Sequence, residues 1–182
     1  MNEARCYSLA AAAAAVFTAL IFVRAAWHKL RDLESFADLL ADYRVVPERA
    51  TGAVSRGVAA AEVAVIAALL VPGLQRIGAA LATAMLLLYA AAMTVNIVRG
   101  RRQLDCGCGG PPQRLGWSLV VRNLVLTAVA ALALHRSPTG LSTGEAAIAV
   151  ASALPLWIGF LLVEQLLANA SRMRGAALEG SS

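Results

Sequence analysis

Five apolar runs, each near the ~20 residues that cross a bilayer as a helix, leave this chain few folds to choose from. They cover about 7–27, 57–71, 77–98, 117–134 and 145–168. Only 15% of residues are charged and the mean hydropathy is +0.68, whereas soluble domains carry about a quarter charged residues. The expected fold is therefore an all-α membrane protein: a bundle of about five transmembrane helices with one amphipathic interfacial helix. Residues 1–170 read as a single polytopic domain and 171–182 as a disordered tail. The start imitates a signal peptide, with Arg5 ahead of an apolar stretch. That stretch is long, however, and Arg24-Ala25-Ala26 places a charge in the candidate cleavage motif, so the reading is an uncleaved first helix. The net charge of +5 fits the basic loops of a membrane protein. No basic stripe is interleaved with aromatics, which argues against nucleic-acid binding.

The runs are joined by segments of different character. From His28 to Arg56 the chain turns polar, with Leu30, Leu33, Phe36 or Ala37, Leu40 and Tyr43 at helical spacing and Arg31, Asp32, Glu34, Asp38 and Asp42 between them. Such a pattern predicts an amphipathic helix lying on the membrane surface, stopped by Pro47. Five crossings place this segment, the loop 99–116 and the C-terminus at one end of the bundle, and the N-terminus, the Pro72-Gly73 turn and the His135 turn at the other. Arg24, Glu62, Asn96, Arg122, Asn123 and Glu164 interrupt the apolar runs, all within about two turns of the first end. Charges in membrane segments face a partner or a cavity. The expectation is that Arg24 or Arg122 pairs with Glu62 or Glu164, either tying the bundle together or forming a polar pocket beneath the loop.

The loop holds the densest chemistry, Asp105-Cys106-Gly107-Cys108-Gly109-Gly110-Pro111-Pro112, flanked by Arg99, Arg101, Arg102 and Arg114. Thiols at i and i+2 close a disulfide only through a tight bend, which Gly107 permits by taking φ > 0. So small a ring is strained and labile. Neighbouring arginines favour the thiolate, and Asp105 opposes them. Thiol–disulfide exchange by Cys106 and Cys108 is the leading reading. A soft-metal site on Cys106, Cys108 and His28 and a structural staple stand beside it, and for the whole protein the alternatives are a metal- or cofactor-handling membrane protein or a non-catalytic assembly scaffold for a partner. Cofactors are not fixed by the sequence; the candidates are a quinone or a metal ion. Cys6, at the far end, is too distant to join the pair. His28, in Trp27-His28-Lys29, reads equally as part of an interfacial anchor, as do Trp117 and Tyr7.

Two stretches carry a family resemblance. Ala26-Trp27-His28-Lys29-Leu30-Arg31-Asp32 followed by Phe36, Tyr43 and Pro47 is one; Asn96-Ile97-Val98-Arg99-Gly100-Arg101 leading into Asp105-Cys106-Gly107-Cys108-Gly109 is the other. Over roughly residues 7–170 the chain resembles the methylamine-utilisation protein MauE family, part of the wider DoxX-like membrane proteins. Gly109 departs from the pattern, where a bulkier residue is expected. The resemblance implies a bacterial inner-membrane protein that helps mature the small (β) subunit of methylamine dehydrogenase or another periplasmic client, alongside a thioredoxin-like redox protein. It maps Cys106 and Cys108 onto the family's cysteine positions.

Charge and chemistry disagree about orientation. Lys29, Arg31, Arg44, Arg49, Arg56, Arg99, Arg101, Arg102, Arg114, Arg172 and Arg174 lie at the cysteine end, and Arg5, Arg76 and Arg136 at the other. The positive-inside rule puts the cysteine end in the cytoplasm, whereas disulfide formation in a client belongs in the periplasm.

Overall fold

The structure, a computed structural model, describes residues 3–107, 114–135 and 142–179. Cys108, Gly109, Gly110, Pro111, Pro112 and Arg136 lie outside the described residues. The elements are α1 (Glu3–Arg31), α2 (Leu33–Tyr43), a single 3-10 turn (Glu48–Ala50), α3 (Thr51–Leu70), α4 (Gln75–Val98), α5 (Trp117–His135) and α6 (Thr143–Glu179). Among the described residues there is no strand beyond one isolated bridge, and α1, α3, α4, α5 and α6 are each long and apolar enough to cross a membrane. The chain is an all-α, multi-pass membrane bundle.

Side-chain size explains the packing. Lipid is as apolar as leucine, so membrane helices associate through small residues that let backbones approach. Ala11, Ala15, Ala19, Ala79, Ala82, Ala130, Ala133 and Ala153 are buried, while Leu88, Leu132, Leu162 and Leu166 face outward. α1 is central, packing against α3, α5 and α6, with α4 spanning α3 and α5. At the far end α3 and α4 come so close that a Cβ on Gly78 would lie 2.6 Å from the Leu69 nitrogen. There, too, Arg5 and Glu145 meet at 3.5 Å, joining the start of α1 to the start of α6. A second apolar cluster, Tyr43, Ala90, Met93, Ile97, Leu115, Leu119 and Val120, fills the opposite end beneath the cysteine loop.

The amphipathic helix expected in the polar segment 28–56 is α2, which ends before Pro47. α1 runs on to Arg31, and Asp32 caps a separate helix: its carboxylate accepts from the Ser35 hydroxyl at 2.6 Å and the Ser35 N–H at 2.9 Å. Those bonds, the side-chain one first, hold the Asp32 carboxyl below its usual value. Arg44 ends α2 in the left-handed conformation (φ 47°), and α3 begins at Thr51, before the expected Gly57. α2 folds onto α3 and the cysteine loop, because Leu39 and Tyr43 have buried surface to cover there. At the other terminus α6 contains Pro155 and continues to Glu179.

Candidate functional site

The site begins with the base of the cysteine loop. Asp105 and Arg114 form an antiparallel bridge, and Leu115 N–H donates to Leu104 C=O at 3.1 Å. This pairing pinches the neck of the cysteine loop at Asp105 and Arg114. Gly107 has φ 67°, and a Cβ there would meet Leu39 Cδ2 at 2.4 Å. Both the backbone sign and the close approach of α2 demand glycine. The Tyr43 hydroxyl donates to Asp105 C=O at 3.0 Å, so the end of α2 fixes the strand that carries Cys106. The Asp105 side chain itself is exposed.

Arginines act here at two levels. Arg99 and Arg101 donate to Arg44 C=O (3.4 Å) and Asp42 C=O (2.8 Å). They hold the last turn of α2, where carbonyls lack helical partners, and do not contact the thiol. The cation at the thiol is Arg122 of α5, whose Nη2 lies 3.3 Å from Cys106 Sγ. Met93 Sδ is 3.8 Å from the same sulfur. Arg122 Nη1 donates to Glu164 Oε1, and Arg24 Nη1 donates to Glu164 Oε2. One buried carboxylate on α6 thus joins arginines from α1 and α5, and the second of these reaches the cysteine. Of the expected pairings, both arginines choose Glu164.

Glu62 has a different partner. It is fully buried, and its Oε1 accepts from Lys29 Nζ and from the Tyr89 hydroxyl, each at 2.7 Å. Lys29 Nζ also sits 5.0 Å from the Phe36 ring centroid and 5.4 Å from that of Tyr89. Sequence reasoning passed over Lys29 as an anchor and favoured His28. The structure exposes His28 and buries Lys29 to 2% of its surface. The signal was present: Phe22, Ala25, Ala26 and Lys29 recur at i, i+3, i+4 and i+7, one face of a helix. Asn96 and Asn123 are buried close by. Asn96 Nδ2 donates to Ala92 C=O at 3.1 Å, while Asn96 Oδ1, Asn123 Nδ2 and Glu62 Oε2 have no hydrogen-bond partner among the described residues.

Two cavities separate these networks. One of about 30 Å³ touches Arg24, Arg122, Asn123 and Glu164. The other, about 70 Å³, runs between Lys29 and Cys106 and is walled mainly by apolar and aromatic side chains of α2 and α4. Among the described residues no three His, Cys, Asp or Glu side chains gather as metal ligands. Cys6 is exposed near the start of α1, the end opposite Cys106.

Comparison with known proteins adds a family. Residues 7–136 match the family model described as methylamine utilisation protein MauE. Several curated relatives carry the name methylamine utilization protein MauE. The one from Paracoccus denitrificans is 45% identical over 63% of each chain, so that match spans just under two thirds of the relative's length. The Paracoccus versutus protein is 40% identical over 73% of each chain. The Methylophilus methylotrophus protein is 34% identical over 83% of this chain and 82% of its own. No solved structure matches the chain.

Proposed function

Because the chain belongs to the methylamine utilisation protein MauE family, we propose that it is a thiol–disulfide redox protein of the bacterial inner membrane serving the maturation of methylamine dehydrogenase. Its client is the enzyme's small subunit, reached through a thioredoxin-like partner. Residues 1–170 act as one membrane domain that presents Cys106 and Cys108. The observation that carries this reading is the Arg122 guanidinium 3.3 Å from Cys106 Sγ. A positive charge beside a sulfur favours the thiolate, the nucleophilic form, and the half-buried setting limits screening by water.

Cys106 is accordingly the attacking residue. Its thiolate displaces one sulfur of a partner disulfide, forming a mixed disulfide and releasing a partner thiolate. Cys108 then attacks Cys106 Sγ, closing the Cys106–Cys108 bond and releasing the second partner thiolate. Run backwards, the same steps oxidise a partner dithiol, the direction that disulfide formation in a client requires. Glu164 and Arg24 orient the guanidinium, and Gly107 allows the bend between the cysteines.

Trapping tests the assignment. Cys108→Ser, expressed with a thioredoxin-like partner, should accumulate a mixed disulfide through Cys106, visible on non-reducing gels. Cys106→Ser should not. Equal trapping by both variants would remove the assigned order, and no trapping by either, with both proteins inserted, would remove the exchange reading. Labelling Cys106 in intact cells with a membrane-impermeant maleimide reports which face it occupies.

A further inference from the structure

We propose that the cavity between Lys29 and Cys106 binds the ring of a membrane quinone, which accepts two electrons from the reduced Cys106–Cys108 pair. This rests on the exchange reading above and names the oxidant that reading needs. A pair that oxidises a partner dithiol is itself reduced and must be reoxidised. Two S–H bonds break and one S–S bond forms. The two electrons and two protons pass to the quinone, whose carbonyls become the hydroxyls of a quinol.

Four features converge on this ligand. The cavity lies where α1, α3 and α4 meet α2 and the cysteine loop, and one lining residue, Val45 in the turn after α2, is exposed, which leaves a way in for a lipid-soluble molecule at the cysteine end of the bundle. Phe36, Tyr43 and Tyr89 line it, and aromatic faces suit a flat ring. Cys106, the electron donor, forms part of the wall. Lys29, also part of the wall, is a buried ammonium that pairs with Glu62 and faces the Phe36 and Tyr89 rings. Of its three N–H donors, one goes to Glu62 Oε1; the others have no hydrogen-bond acceptor among the described residues. A buried cation with donors to spare fits a carbonyl oxygen that gains negative charge on reduction. An acyl chain would offer the remaining donors no acceptor.

Size sets how much of the ligand enters. At about 70 Å³ the cavity is smaller than the roughly 150 Å³ that holds benzene in an apolar core. It takes one edge of the ring, the edge bearing a carbonyl, and leaves the tail-bearing edge towards lipid.

Binding is measured on full-length protein in phosphatidylcholine nanodiscs by calorimetric titration with decylubiquinone. Wild-type protein with its cysteines oxidised should bind it, since binding precedes electron transfer. Ala92→Phe, which fills the cavity, should weaken binding at least tenfold, and so should the double variant Lys29→Met/Glu62→Met, which keeps no buried charge unpaired. Anaerobic mixing of reduced wild-type protein with decylubiquinone should yield one quinol per chain. Failure to bind, equal binding by both variants, or equal affinity for a ring-saturated analogue with the same tail would each overturn the proposal. If exchange trapping succeeds while quinone neither binds nor is reduced, this inference falls and the exchange reading stands. If trapping fails while the pocket binds quinone as described, the exchange reading falls and the binding site stands.

Discussion

At the scale of single residues, Arg122 is the side chain on which the proposed chemistry turns. With Cys6→Ser and Cys108→Ser as background, Arg122→Gln should slow alkylation of Cys106 by iodoacetamide at pH 7 about tenfold, the effect of losing one neighbouring opposite charge. Arg122→Lys should fall between, because an ammonium lacks the fork that spans Glu164 and the sulfur together. Equal rates in all three would mean that the guanidinium does not activate the thiol. Which residues were legible in the sequence follows from what each depends on. Gly107 was, since a bend between adjacent cysteines is local. Glu164 and Arg122 were, because a charge in an apolar run announces itself. That Arg122 rather than Arg99 reaches the sulfur was not: it depends on how α5 rotates against the loop. Lys29 was legible by period but hidden by its neighbours, since Trp27 and His28 give the triplet the look of an interfacial anchor.

At the scale of elements, α2 is what turns a loop into a site. It covers Gly107 with Leu39, pins Asp105 with Tyr43, and receives Arg99 and Arg101 at its C-terminus. Tyr43→Phe removes one hydrogen bond, worth about 1 kcal/mol. Deuterium uptake should rise at residues 104–107 and stay unchanged in the middle of α4; unchanged uptake at both would show that α2 does not hold the loop. Gly107→Ala combines a left-handed backbone, roughly 1–2 kcal/mol for a residue with a Cβ, with displacement of Leu39. It should lower the melting temperature and widen the gap over the cavity, read as faster Cys106 alkylation; an unchanged melt would count against the packing described. Amphipathicity gave away the helix here but not its partner. The stripe Leu33, Phe36, Leu40, Tyr43 suits lipid headgroups and a protein surface equally, and only the bonds from the loop back to α2 decide between them.

At the scale of the whole molecule, the buried ion pairs are gathered at one end of an alanine-packed bundle. Such pairs contribute little net stability yet are costly to break singly. Glu62→Ala should destabilise the protein by about 3–5 kcal/mol, while Lys29→Met/Glu62→Met should recover most of that, measured as thermal melting in detergent. A single variant as stable as the wild type would mean that the Lys29–Glu62 contact is not buried in the membrane-embedded protein. Five crossings and the end at which the charges collect were readable from run lengths alone. The split into two networks, one through Glu164 and one through Glu62, was not, because three cations, Lys29 among them, and two carboxylates admit several pairings until the helices are placed around α1.

Glu164 belongs to the final helix, and this has a consequence for biogenesis. Helices enter the membrane in the order they are synthesised, so α1 brings Arg24 and α5 brings Arg122 before the carboxylate that joins them has left the ribosome. Cys106 is already in place by then. The thiol thus acquires its finished electrostatic surroundings only once α6 has been made, and a nascent chain halted before α6 carries the cysteine without the carboxylate that positions Arg122 beside it.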